Sequence, residues 1–205
     1  MIMAQQYVNR FNTVERVLHW IVAVSFFVLL LSGLGLFSRS FFSYFALFGG
    51  PEHGILFHKG AGIVFLVSSV LLFIPFSRQM LHFDEDDRKW LAACGGYLSR
   101  KGKEIPQGKF NAGQKIFGIF AFVATLVMGA TGLVIWNAAT LERTVTRFSF
   151  MFHGLFFVLF MMGVIVHIYL GSIGNPGTME GMLWGQVRRI WARKHHLKWY
   201  RDVSK

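Results

Sequence analysis

The sequence predicts an all-α integral membrane protein, a bundle of four transmembrane helices with both termini on the cytoplasmic side. Three observations predict it. Hydrophobic residues make up 54% of the 205-residue chain, 23 of them phenylalanine, and the mean hydropathy is positive, which is outside the soluble globular class. The apolar residues gather into four runs, each able to supply the roughly 20 residues a helix needs to cross a bilayer. The positive charge sits between and after those runs, the pattern of Lys and Arg flanking membrane spans.

The first span covers about residues 17–37, directly after Arg16. No small-residue cleavage motif follows it, so it reads as a retained helix and not as a removed leader. A polar, aromatic loop with Arg39 and Gly49-Gly50-Pro51 leads to the second span, about 54–76. Its charge, Lys59, stands near the start, where a lysine snorkels to the interface. A long polar loop follows, with the acidic cluster Asp84-Glu85-Asp86-Asp87, read as a solvated face, and basic Arg88, Lys89, Arg100, Lys101, Lys103 and Lys109. The third span covers about 112–136. A short link through Glu142 and Arg143 leads to the fourth, about 147–173. The tail, 174–205, carries Arg188, Arg189, Arg193, Lys194, Lys198, Arg201 and Lys205. Its basic and aromatic character, His195-His196 included, suits anionic lipid headgroups or a partner rather than a metal. His53 and His82 read as loop residues. Trp20, Trp136, Trp184, Trp191 and Trp199 fall near the expected interfaces, as aromatic belts do.

With four spans, the N-terminus, the long loop and the tail share one side. All of the 21 Lys and Arg residues except Arg39, Lys59, Arg143 and Arg147 fall there, which makes that side cytoplasmic. The whole of 1–205 reads as one membrane domain. Several function classes drop out. The net charge of +11 does not indicate nucleic acid, because it flanks apolar spans. A single cysteine, Cys94, excludes an internal disulfide and any Cys-ligated zinc or iron–sulfur site within this chain. Proton-relay transporters commonly place Asp or Glu inside the membrane, and none lies in these spans. No His-Glu-x-x-His motif of a zinc hydrolase occurs.

Four of the eight histidines lie within the spans, where an imidazole is costly and wants a reason. His153 and His167 share the fourth span. Fourteen residues are nearly four turns, so the two rings point within about 40° of one face and stand roughly 21 Å apart along the axis. His19 lies near the cytoplasmic end of the first span and His58 near the outer end of the second. Depth therefore pairs His19 with His167 and His58 with His153. A solitary membrane histidine is commonly a helix–helix hydrogen-bond partner. Four at two matched depths, two of them on one face, fit two bis-imidazole b haems. The expected fold is thus a four-helix bundle holding two haem b groups. With both axial positions filled, such haems carry electrons and leave no open site for O₂. Arg39 and Lys59 lie where the propionates of an outer haem would need partners.

Three segments go beyond composition: Arg16-Val17-Leu18-His19-Trp20, Lys109-Phe110-Asn111-Ala112-Gly113-Gln114-Lys115, and Lys194-His195-His196-Leu197-Lys198-Trp199-Tyr200. Together they resemble the gamma subunit, a cytochrome b556 type, of bacterial respiratory formate dehydrogenase. The likeness runs from the first span to the tail. The Asn-Ala-Gly-Gln segment is the part that separates this family from the wider group of four-helix di-haem cytochromes b. The resemblance implies an inner-membrane subunit of anaerobic respiration, with His58 and His153 on the outer haem iron and His19 and His167 on the inner. It implies a quinone pocket (menaquinone or ubiquinone) lined by Asn111, Gly113, Gln114 and His167. It also implies an iron–sulfur beta subunit and a molybdenum or tungsten alpha subunit, which would carry formate oxidation. The residues themselves agree with the pocket. Asn and Gln offer donors to a quinone carbonyl and Gly113 allows close approach, while Asn111 and Gln114 also suit a helix N-cap and capping box. A di-haem cytochrome b of another complex, of the hydrogenase or thiosulfate reductase type, would share the histidines and differ in partner.

Overall fold

The computed structural model describes residues 6–96 and 105–204. Arg100, Lys101, Lys103 and Lys205, counted above toward the cytoplasmic charge, lie outside the described residues. In chain order the elements are β1 (Tyr7–Asn9), α1 (Thr13–Phe37), a 3₁₀ segment (Arg39–Phe48), α2 (Pro51–Phe73), a 3₁₀ turn (Ile74–Phe76), α3 (Ser77–Leu81) and α4 (Glu85–Ala92). They continue with a 3₁₀ turn (Cys94–Gly96), α5 (Ala112–Trp136), α6 (Arg143–Gly171), α7 (Glu180–Trp184), β2 (Gln186–Arg188), α8 (Arg189–His195) and α9 (Leu197–Val203).

Local chemistry explains where the long helices begin. Asn12 and Glu15 exchange backbone-to-side-chain bonds of 2.9 and 2.8 Å ahead of α1, which is a capping box. Pro51 opens α2 at a position where its missing N–H costs nothing. Glu142 accepts the N–H of Val145 at 3.0 Å at the start of α6. These devices carry the helices outward into polar flanks, so three of them start earlier than the apolar runs suggest. Among the described residues, four helices are long and apolar enough to cross a membrane: Thr13–Phe37, Pro51–Leu81, Ala112–Trp136 and Arg143–Gly171. Only 11% to 17% of their most apolar windows is buried within the chain. So much exposed apolar surface requires lipid. The protein is an all-α, four-helix, multi-pass membrane bundle, with a short β-ribbon among the described residues that sequence periodicity did not announce.

The chain divides into two compact units. The first comprises Met1–Arg16, Phe73–Phe120 and Val166–Lys205. Here β1 and β2 pair antiparallel in the register Tyr7↔Arg188, Val8↔Val187, Asn9↔Gln186. Val187, Trp191, Ala192 and Trp199 form its core, with Val8 and Tyr200 against them. Trp191 and Trp199 are 7% and 8% exposed, so they are core residues and not members of an interfacial belt. The carbonyl of Gly185 accepts from the N–H groups of Arg10 and Phe11 at 2.8 and 3.1 Å. The guanidinium of Arg16 donates to the carbonyls of Met182 and Leu183, which satisfies the end of α7.

The acidic cluster also differs from a solvated face. Asp84 caps α4 in a reciprocal box with Asp87. Lys198 Nζ lies 2.7 Å from Asp84 and 2.6 Å from Asp86, and its hydrogen bond holds the Asp84 carboxyl down at about 2. Asp87 is 2% exposed and meets Lys115 Nζ at 2.5 Å. A buried carboxylate needs such a partner, and the cation comes from α5.

The second unit comprises Val17–Leu72 and Ala121–Ile165. Phe26, Phe65 and Phe160 meet at its centre with ring centroids 5.5 to 6.3 Å apart. Phe45 of the 3₁₀ segment is wedged between α1 and α2, where a Cβ on Gly54 would stand 2.2 Å from its ring. His53 lies in the first turn of α2, not in a loop. Ser25, Ser32, Ser68, Thr125 and Thr131 return hydroxyl bonds to carbonyls four residues back, as hydroxyls in membrane helices do.

Candidate functional site

The second unit brings two of the four span histidines together. His58 from α2 and His153 from α6 face each other with ring centroids 6.4 Å apart and planes at 61°. Each ring is held in the same way. Ser32 Oγ of α1 lies 2.9 Å from His58 Nδ1, and Thr131 Oγ1 of α5 lies 2.9 Å from His153 Nδ1. Both hydroxyls also contact a backbone carbonyl, Val28 at 2.6 Å and Val127 at 2.7 Å. A carbonyl only accepts, so each hydroxyl proton is committed to it. The ring must then supply the other proton from Nδ1–H, which leaves Nε2 of both histidines with a lone pair for a metal.

This donor set fits a haem better than a bare ion. A metal–imidazole bond is about 2 Å long, and two in line put the ring centroids roughly 6 Å apart. Among the described residues, no group of three or more His, Cys, Asp or Glu side chains could hold a metal. Protein-bound zinc takes three or four such ligands, whereas a porphyrin brings its own four nitrogens. Beside the pair, Lys59 Nζ sits 4.7 Å above the Trp136 ring, a cation–π contact.

His19 belongs to the second unit and His167 to the first. His19 stands edge-on to Trp20, 5.4 Å away at 87°. His167 lies flat on Phe117 of α5 at 4.7 Å and 10°. Phe117 was not singled out in the sequence. Its signal is its place one turn beyond Gln114.

Asn111 and Gln114 form the capping box their spacing suggests. Gln114 N–H donates to Asn111 Oδ1 at 2.9 Å, and Asn111 N–H to Gln114 Oε1 at 3.0 Å. The two oxygens serve the helix start, and the amide NH₂ groups take no part in the box. Gly113 faces Trp90, whose ring would stand 2.9 Å from a Cβ there. Trp90 is a further residue that sequence reasoning did not flag.

The strap before α5 is held from the chain ends. Gln107 Oε1 accepts from Ala112 N–H at 3.2 Å, and the Gln107 carbonyl accepts from Lys198 N–H at 3.0 Å. Arg10 donates to the Lys109 carbonyl at 2.9 Å and to His196 Nε2 at 3.0 Å, while His196 Nδ1–H donates to the Gly108 carbonyl at 2.7 Å. His196 is 1% exposed. It is therefore a buried hinge of the strap and not a headgroup contact. Arg10 is buried too, 4.5 Å over Trp191. Burial draws its pKa down to about 9, which leaves it a cation at neutral pH.

The profile of the prokaryotic cytochrome b561 family matches residues 10–185. The chain belongs to this family. It is 30% identical to the cytochrome b556(Fdn) subunit of the nitrate-inducible formate dehydrogenase of Escherichia coli K12, over 96% of this chain and 91% of that one. It is 30% identical to the cytochrome b556(fdo) subunit of formate dehydrogenase from the same strain, over 96% and 93%. With the formate dehydrogenase cytochrome b556 subunit of Haemophilus influenzae it shares 27% over 94% and 82%. The protein is thus a four-helix cytochrome b561-family member related to formate dehydrogenase cytochrome b556 subunits.

Proposed function

We propose that this cytochrome b561-family chain is the membrane subunit of a formate dehydrogenase, passing electrons from an iron–sulfur subunit at the outer face of a bacterial inner membrane to a quinone at the cytoplasmic face. The observation that carries the reading is the His58–His153 pair with its matched hydroxyl supports. It occurs in a chain that aligns over nearly its whole length with formate dehydrogenase cytochrome b556 subunits. His58 and His153 would hold an outer haem b, and His19 and His167 an inner one. When bound, haem b supplies reversible one-electron transfer at its iron.

The quinone, a menaquinone or ubiquinone, would sit against the start of α5. The amide NH₂ groups of Asn111 and Gln114 are donors for its carbonyls, and His167 is joined to the same helix through Phe117. Gly113 and Trp90 shape the helix start below them. Two electrons and two cytoplasmic protons convert the quinone to its quinol. Moving electrons inward while consuming protons inside builds membrane potential. Formate oxidation belongs to a separate molybdenum or tungsten subunit. Residues 1–205 would act as one functional domain with both termini cytoplasmic, as the distribution of Lys and Arg supports. In the tail, a groove bounded by Pro176, Ile190 and Trp191 carries Arg188, Lys194 and His195 at its rim, which suits an anionic lipid headgroup.

A di-haem cytochrome b of another quinone-linked oxidoreductase, of the hydrogenase or thiosulfate reductase type, is the second reading. The 91% and 93% coverage of the Escherichia coli relatives favours the first. The test is a reduced-minus-oxidised spectrum of the membrane complex with haem counted per chain. Two low-spin b haems reduced by formate are expected. His153→Ala should remove one of them and stop electron flow from formate to quinone. A variant that keeps both at full occupancy sinks the haem assignment, and reduction by hydrogen in place of formate moves the chain to the second reading.

A further inference from the structure

The two supporting hydroxyls belong to one repeated device. Ser32 and Thr131 stand on different helices, α1 and α5, and each is followed by a glycine lying under the ring it supports. A Cβ on Gly33 would be 3.4 Å from His58 Cε1, and a Cβ on Gly132 would be 3.4 Å from His153 Cε1. The hydroxyl-to-Nδ1 distance is 2.9 Å in both. Other back-bonded hydroxyls in the same unit, Ser25 and Ser68, bond helix carbonyls. Ser32 and Thr131 are set apart by the imidazole on their second side. Ser32 is also fully buried, at 0% exposure.

We propose that Ser32 and Thr131 are positioning residues that set the tautomer, the rotation and the donor strength of the two axial imidazoles; this rests on the haem assignment above. Each Nδ1–H donates a hydrogen bond to a hydroxyl that is itself polarised by donating to a carbonyl, a chain in which each bond strengthens the next. An acceptor at Nδ1–H makes the ligating nitrogen a better donor to the metal, which favours the oxidised iron. The hydroxyl is a moderate acceptor, weaker than a carboxylate. It therefore holds the potential at an intermediate value while keeping Nε2 in the ligating form.

The test is a redox titration of the purified membrane complex carrying Ser32→Ala or Thr131→Val, with ferric low-spin electron paramagnetic resonance beside it. Each variant should raise the reduced-to-oxidised ratio of one haem by roughly three- to tenfold at a fixed ambient potential, about 30–60 mV for one electron. Its g-values should change as the ring rotates, and the second haem should be untouched. Ser32→Thr and Thr131→Ser, which keep the hydroxyl, should restore both readouts. Loss of that one haem alone in Ser32→Ala or Thr131→Val also supports the proposal. Unchanged potentials and spectra overturn it, as does loss of both haems, which would assign the hydroxyls to helix packing. Failure of the haem assignment itself shows separately, as a His153→Ala protein with both haems in place.

Discussion

His196 shows how burial decides the chemistry of a single side chain. Desolvation, and then the neighbouring Arg10 cation, hold its pKa well below the ordinary 6.5. In the unfolded chain the same ring takes a proton as pH falls through 6.5, while the folded site refuses it. The unfolded state then binds more protons, so stability is lost as pH falls from about 6.5 toward the depressed folded value, and is fully present above it. The thermal midpoint of the detergent-solubilised protein should therefore fall between about pH 7 and pH 5. His196→Gln should flatten that fall. Equal slopes in the two proteins would mean that His196 is not held neutral.

The start of α5 combines two roles that one substitution pattern can separate. Asn111→Ala removes the cap oxygen and should cost about 1 kcal/mol of stability. It also removes the amide donor and should slow quinol formation while both haems stay in place by optical spectrum. Asn111→Asp keeps the cap oxygen and loses the NH₂ group, so it should recover the stability but not the rate. Recovery of both would leave Asn111 as a cap alone. The buried Lys115–Asp87 pair ties this same helix start to α4. Among the described residues, α4 and the start of α5 are thus braced against each other.

The whole molecule is defined by what it leaves uncovered. Its four long helices bury little of their apolar surface against the chain itself, which only a bilayer can compensate. The orientation read from Lys and Arg has a direct probe, because the protein carries one cysteine, and Cys94 is exposed. A membrane-impermeant maleimide should label Cys94 in inverted membrane vesicles and leave it unlabelled in right-side-out spheroplasts. The opposite result would place the long loop outside and reverse the proposed direction of electron flow.

The amino-acid order by itself determined the four long helices, the places of the histidines along them and the capping box that opens α5, because these depend on local runs and on spacings within a turn or two. The Asn111–Gln114 box was legible for that reason. Depth on a helix does not say which way neighbouring helices are rotated. No local pattern marked Ser32 or Thr131 as partners of His58 and His153. Nor did one mark Phe117 as the ring under His167, or Trp90 as the ring over Gly113. The tail is legible only in part, for a related reason. A basic, aromatic segment has the same composition whether it lies on lipid or folds inward, and Trp191, His196 and Trp199 are buried because β1, Arg10 and the strap before α5 come back to meet them. Only the tertiary structure decided these contacts, since burial of a polar ring depends on which distant donors and acceptors reach it.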